Sequence, residues 1–252
     1  MVYLIGAGPG DPELLTLKAV RALARSDVVL VDDLVHRDVL RHCRPEVRVV
    51  DVGKRGGCVS TPQAFIHRLM VRLAKRGMIV GRVKGGDPYV FGRGAEEVAA
   101  LAAAGIEVEV VSGITAGIAV PAALGIPVTH RELARGVTLV TGHPRAGGEE
   151  PDWAALARVG TTLIIYMGVR RLADIATALL AGGMPAETPA VVIQNGTLPE
   201  QTSVVSTLGR LAHDVVACGI GSPGVVVIGA VAALARQWTI AAPDGAARAS
   251  TG

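Results

Sequence analysis

The sequence predicts an α/β protein in two lobes, each a β-sheet flanked by helices. Three observations predict it. Short aliphatic runs alternate with stretches of helical periodicity along the chain. Of the 252 residues 50% are apolar but only 3% are aromatic, so the core they build is aliphatic. Glycine-rich segments follow several of the aliphatic runs, the place where open parallel sheets bind ligands.

The elements follow in order. Val2–Ile5 is a strand, and Gly6-Ala7-Gly8-Pro9-Gly10 turns away from it. Asp11-Pro12 starts a helix, with the acid as cap and proline in the first turn. That helix runs from Pro12 to Ala24, with Leu14, Leu17 and Val20 at helical spacing. Val28–Val31 and Val47–Val52 are strands of near-continuous aliphatic character, as expected where both faces are covered. Ser60-Thr61-Pro62 starts the next helix, which carries Phe65, Ile66, Leu69, Met70 and Leu73 on one side. Met78–Val83 is a strand, Ala95–Ala104 a helix closed by Gly105, and Glu107–Val111 a strand. The first lobe covers residues 1–112 and the second 113–240, divided near Ser112-Gly113-Ile114-Thr115. In the second lobe Val137–Thr141, Thr162–Met167, Ala190–Gln194 and Val225–Val231 read as strands. Leu172, Ile175, Ala176 and Leu179 mark a helix ended by Gly182-Gly183, and Thr207–Cys218 another ended by Gly219. Residues 241–252 are small and polar and read as a flexible tail.

Composition narrows the function. The longest largely apolar run, Val225 to Ala235, falls short of the roughly 20 residues of a spanning helix. No basic-then-apolar leader opens the chain, so a soluble cytoplasmic protein is expected. Cys43, Cys58 and Cys218 form no CxxC pair and the histidines no HExxH, so no metal is expected. The net charge of +3 is spread along the chain, which argues against nucleic acid and suits an anionic small substrate.

Candidate site residues come from the loops. The first glycine loop resembles a dinucleotide fingerprint, and Asp32 ends a strand about twenty residues later. The fingerprint fails at Asp11, where it needs glycine, and a carboxylate there repels a pyrophosphate. The richest loop is Gly81 to Gly94, which reads GRVKGGDPYVFGRG. Gly85 and Gly86 let main chain approach a ligand, and Asp87 suits a cation or a hydroxyl. Asp32, with Asp33 beside it, lies past a buried strand and serves as a ligand-facing carboxylate or a turn residue. Lys54 is a loop lysine after another strand, and Met167 extends an apolar run as core or as a ligand contact.

Taken together, the loops resemble the tetrapyrrole methylase family over roughly residues 2–235. The motifs are GAGPGDPELLTLKA from Gly6, Val52-Gly53-Lys54-Arg55, the Gly85–Gly94 loop, Gly113-Ile114-Thr115-Ala116 and Gly125-Ile126-Pro127-Val128-Thr129-His130-Arg131. Thr141-Gly142-His143, Tyr166-Met167-Gly168 and Gln194-Asn195-Gly196-Thr197 complete them. The resemblance implies the two-lobed fold of class III S-adenosyl-L-methionine (SAM) methyltransferases, with the active site in the cleft between lobes. It implies a stand-alone enzyme that adds two methyl groups to uroporphyrinogen III, giving precorrin-2 for sirohaem or cobalamin. SAM is then the methyl donor, and S-adenosyl-L-homocysteine the product. It maps Pro9, Gly85, Gly86, Asp87, Val90, Thr115, Ala116, Met167 and Gly196 onto cofactor-binding positions. Asp32 becomes the general base, and Lys54 a proton donor or charge partner. The polycarboxylate substrate calls for cations, and Arg55, Arg93, Arg131 and Lys84 are the candidates. A homodimer is also implied. Tyr89 stands where relatives often have Phe, a conservative change in the pocket. The alternatives are a later corrinoid methyltransferase, a flavin or nicotinamide oxidoreductase, and a non-catalytic SAM sensor.

Overall fold

The first five strands, β1 (Val2–Gly6), β2 (Val28–Val31), β3 (Arg48–Asp51), β4 (Val80–Lys84) and β5 (Val108–Val111), form one parallel sheet in the order β3-β2-β4-β1-β5. Strands β1 and β2 are apolar and buried throughout because helices cover both faces, whereas the edge strand β3, expected from its sequence to be covered likewise, is largely exposed. Side chains alternate across the sheet. Tyr3, Ile5, Val29, Val31 and Val83 pack on Ala19, Ala22 and Leu23 of α1 (Leu17–Arg25). Val2, Val28, Leu30 and Val80 pack on Ile66, Leu69, Met70 and Leu73 of α2 (Gln63–Lys75) and on Leu101 of α3 (Gly94–Ala103). The computed structural model describes residues 1–53, 61–143 and 147–236. Lys54, Arg55, Cys58 and the segment 241–252 lie outside them.

Two helix starts differ from the sequence reading. The expected helix Pro12–Ala24 is broken into a 3-10 turn, Pro12–Leu14, and α1. Asp11 does cap the turn, accepting from the Glu13 amide at 2.8 Å. Leu15 and Thr16 are then extended, and the Thr16 hydroxyl starts α1 by accepting from the Ala19 amide at 3.1 Å. Helix α2 has Pro62 itself at its N-cap and no side-chain cap bond.

The second sheet holds β6 (Val137–Thr141), β7 (Thr162–Tyr166), β8 (Pro189–Gln194), β9 (Thr202–Thr207) and β10 (Gly224–Ile228), in the order β6-β7-β10-β8-β9. It is mixed. β6 and β7 are parallel, and β10 runs antiparallel to both β7 and β8. Strands β6, β7 and β8 therefore end at one edge of the sheet. Its core joins Leu163, Ile165, Val192, Val226 and Ile228 to Leu172, Ile175 and Leu179 of α6 (Leu172–Ala181) and to Leu208, Leu211 and Val215 of α7 (Leu208–Ala217). Strand β9 and the short helices α4 (Ala116–Ala123) and α5 (Trp153–Arg158) were not expected from the sequence. The chain divides into two units, Met1–Ala116 and a second beginning at Gly117. No helix among the described residues is long and apolar enough to cross a membrane.

Candidate functional site

In the first unit the site residues collect where the parallel strands end. Gly6, Gly86 and Gly113 stack main chain on main chain past β1, β4 and β5. A Cβ on Gly6 would lie 2.4 Å from the Gly113 nitrogen, and one on Gly113 would lie 2.2 Å from the Gly86 carbonyl oxygen. Gly8 and Gly86 exchange two backbone hydrogen bonds, Gly86 N–H to Gly8 O at 2.6 Å and Gly8 N–H to Gly86 O at 3.2 Å. The Gly86 amide therefore serves the fold. Asp87 joins two loops, accepting from the Tyr89 amide at 2.8 Å and the Gly113 amide at 3.1 Å. Pro9, Val90 and Thr115 lie in the loops so tied, and Ala116 begins α4 just beyond them.

The loop after β4 is strained. Phe91 and Arg93 hold φ of 53° and 58°, sparsely populated for side-chain-bearing residues. Glycine at 92 and 94 is explained by the Pro88 carbonyl oxygen, which a Cβ would approach to 2.7 and 2.5 Å. Arg93 forks onto Glu96 through Nε (2.9 Å) and Nη2 (2.7 Å). That hydrogen-bonded carboxylate holds the guanidinium above its ordinary range. Tyr89 and Phe91 are exposed.

Asp32 is the centre of a charge cluster. It follows β2, one step past the Val31–Val83 register pair, and so stands opposite Lys84. Its Oδ1 accepts from Arg82 Nη2 at 2.6 Å, and its Oδ2 faces Lys84 Nζ at 3.5 Å. Arg82 and Lys84 alternate onto the face of the sheet covered by α2 and α3. There Glu97, in the first turn of α3, takes Arg82 Nε at 3.0 Å and Lys84 Nζ at 3.2 Å. Glu97 is fully buried, while Asp32 keeps 28% of its side chain exposed. The cluster thus offers one carboxylate to solvent and buries the rest. Asp33 beside it is exposed.

In the second unit, strained loops again follow strands that share an edge. Met167, past β7, has φ 55° and is 51% exposed, which sets aside core packing for its thioether. Asn195 and Thr197, past β8, have φ of 50° and 70°. Gly196 between them packs on Val120, whose Cγ1 a Cβ would meet at 2.3 Å. Arg131 belongs to a hairpin closed by paired backbone bonds between His130 and Ala134 (2.8 and 2.9 Å). With Thr129, His130 and Arg135 it lines a shallow basic depression open to solvent.

The candidates therefore fall into three groups. Asp32 and Lys84 are brought together, and Lys84 is buried and held by two carboxylates. Pro9, Gly85, Gly86, Asp87, Val90, Arg93, Thr115 and Ala116 line the strand ends of the first unit. Met167, Gly196 and Arg131 stand in the second. Lys54 and Arg55 fall outside the described residues. Sequence reasoning missed Arg82 and Glu97. The available signal was Arg82 inside the apolar strand Val80-Gly81-Arg82-Val83, because a buried guanidinium demands a carboxylate. Among the described residues no group of three His, Cys, Asp or Glu could hold a metal ion.

Glycine turns, strained loops and a cation-held carboxylate at strand ends define an enzyme-like α/β binding site rather than a structural domain. Comparison with known proteins specifies the family. The family model described as Tetrapyrrole (Corrin/Porphyrin) Methylases matches residues 1–212. A uroporphyrinogen-III C-methyltransferase of Pseudomonas aeruginosa is 58% identical over 231 residues, covering 91% of this chain and 93% of that protein. The crystal structure of the Thermus thermophilus uroporphyrin-III C-methyltransferase complexed with S-adenyl homocysteine is 43% identical, with TM-score 0.80, covering 92% of this chain and 99% of that one. A cobalt precorrin-4 methyltransferase structure has TM-score 0.82 at 28% identity, covering 92% and 95%. The chain belongs to the tetrapyrrole methylase family, and the oxidoreductase reading of its first loop is set aside.

Proposed function

We propose that the chain is a SAM-dependent C-methyltransferase that adds two methyl groups to uroporphyrinogen III, giving precorrin-2. The observation that carries the chemistry is Asp32, a partly exposed carboxylate at a strand end, gripped from behind by Arg82 and Lys84. Kinship at 58% with an enzyme named for this reaction, against 28% with a precorrin-4 enzyme, favours this substrate over a later corrinoid.

The residues present fit the cofactor in kind. An adenosyl group needs apolar faces and main-chain partners, and Met167 offers an exposed thioether held in place by a strained backbone. Gly196 and the loops around Gly85, Gly86, Asp87, Pro9, Val90, Thr115 and Ala116 are the other residues that would hold it. Bound SAM supplies an electrophilic methyl group, which the electron-rich pyrrole carbons of the substrate can accept. The chain's own work is alignment, exclusion of water and proton removal. Asp32 takes the proton that the methylated ring must lose, and Arg82 and Lys84 keep its oxygens aimed. Lys54 is the proton donor or charge partner in this reading. Arg131, Arg55 and Arg93 bind substrate carboxylates, with Arg93 exchanging its fork on Glu96 for one on the substrate. Lys84, first considered among these, is better placed to hold Asp32. A cytoplasmic homodimer completes the proposal.

Incubation with enzymatically generated uroporphyrinogen III and SAM tests it. Mass spectrometry is expected to show two added methyl groups; an unmodified substrate, alongside turnover of a precorrin, would transfer the assignment to the later corrinoid reading.

A further inference from the structure

The cluster behind Asp32 is built more elaborately than an ion pair requires. Glu97 Oε1 receives three donors, Arg82 Nε at 3.0 Å, Lys84 Nζ at 3.2 Å and Gln63 Nε2 at 2.8 Å. Its Oε2 is buried and has no partner among the described residues. All the attraction is therefore focused on one oxygen. Arg82, 2% exposed, is held by Glu97 at Nε and at Nη1 by the carbonyls of Leu30 (3.4 Å) and Val83 (3.2 Å). A planar guanidinium pinned at those points has one direction left for Nη2, and it meets Asp32 Oδ1. Lys84 is likewise divided between Glu97 and Asp32. Two carboxylates balance two cations, so none is left uncompensated in the interior.

We propose that Glu97 is a positioning residue for the methyl-transfer reaction. It does not touch substrate, and acts through Arg82 and Lys84 to fix the orientation of the Asp32 carboxylate. The proposal rests on Asp32 acting as the base. Its place in the first turn of α3 adds a second effect. The same turn is tied to the strained loop by Gly94 N–H to Pro88 O at 3.0 Å, so base and loop share one anchor.

Two variants test it, Glu97→Gln and the charge-keeping Glu97→Asp, whose carboxylate is one methylene short of Arg82 and Lys84. In Glu97→Gln the two cations keep only Asp32 as a carboxylate partner in the cluster, and a crystal structure is expected to show Lys84 drawn towards Asp32 and the Asp32 carboxylate turned from its parental orientation. Its kcat per S-adenosyl-L-homocysteine-competent site should fall on the order of 10- to 100-fold, the cost of a misplaced group. KM for uroporphyrinogen III should stay within about twofold, as for loss of an interaction used only in the transition state. Glu97→Asp should regain melting temperature lost by Glu97→Gln, because no charge is stranded, while kcat stays low. Glu97 acting as a fold element alone predicts that kcat recovers with stability. That recovery, an unmoved Asp32 in the Glu97→Gln crystal, parental kcat in either variant, or failure of Glu97→Asp to fold would overturn the proposal. A parental enzyme inert toward uroporphyrinogen III would count against the substrate assignment instead, and the crystal structure would still decide the role of Glu97.

Discussion

Asp32 combines partial exposure with fixed orientation, and its substitution separates chemistry from binding. Asparagine keeps an acceptor for Arg82 Nη2 but cannot take up a proton. Asp32→Asn is expected to lower kcat by about 100-fold or more. Calorimetric affinity for S-adenosyl-L-homocysteine should stay within about twofold of the parent, the pattern of a lost transition-state interaction. Full activity in that variant would remove Asp32 from the mechanism. Its location was legible because a polar residue after an unbroken aliphatic run marks a strand end. The partners were not. Arg82 and Lys84 are two apart on one strand, but the carboxylate that explains them lies on α3, and only folding brings it near. Met167 was ambiguous for a related reason. Leu163-Ile164-Ile165-Tyr166-Met167 reads as one apolar run, and only φ 55° shows the chain turning outward at its end.

At the scale of elements, three strand ends are locked by glycines with no room for a side chain. Gly113→Ala would bring Cβ to 2.2 Å from the Gly86 carbonyl oxygen, so it should destabilise the first unit by about 3 kcal/mol in urea unfolding. Gly86→Val adds a branched side chain at φ 66°, and calorimetry should show S-adenosyl-L-homocysteine binding abolished. A surface element offers a pH test. Asp27 accepts from the Ile79 amide and from Arg44, and these bonds hold its carboxyl below its ordinary range. A depressed folded-state value stabilises above the unfolded pKa, about 3.9, and the benefit disappears as pH falls through the folded one. The stability gap between the parent and Asp27→Asn should therefore be constant near neutrality and close in acid. The first sheet was legible strand by strand, most plainly in β1 and β2, whose residues are apolar and buried throughout because helices cover both faces. Strand β9 was not, since Thr202-Ser203-Val204-Val205-Ser206-Thr207 is an edge strand with only Val204 and Val205 apolar. Helix α4 carries Pro121 inside it and α5 is short, so neither shows a helical period.

For the whole molecule, the proposed reaction demands a hold on the methyl donor, a base and cations for a polycarboxylate, and the described residues supply candidates for each. The proposed homodimer is expected to give twice the chain mass in light scattering, and a monomer mass at working concentration would remove that part of the reading. The charge quartet of Asp32, Arg82, Lys84 and Glu97 also bears on how such a protein can change over generations. Altering one member strands its counterpart, so viable drift there must come as matched pairs. A search for new macrocycle preferences is better aimed at the exposed loop tips Tyr89 and Phe91, where exchange creates no orphaned charge.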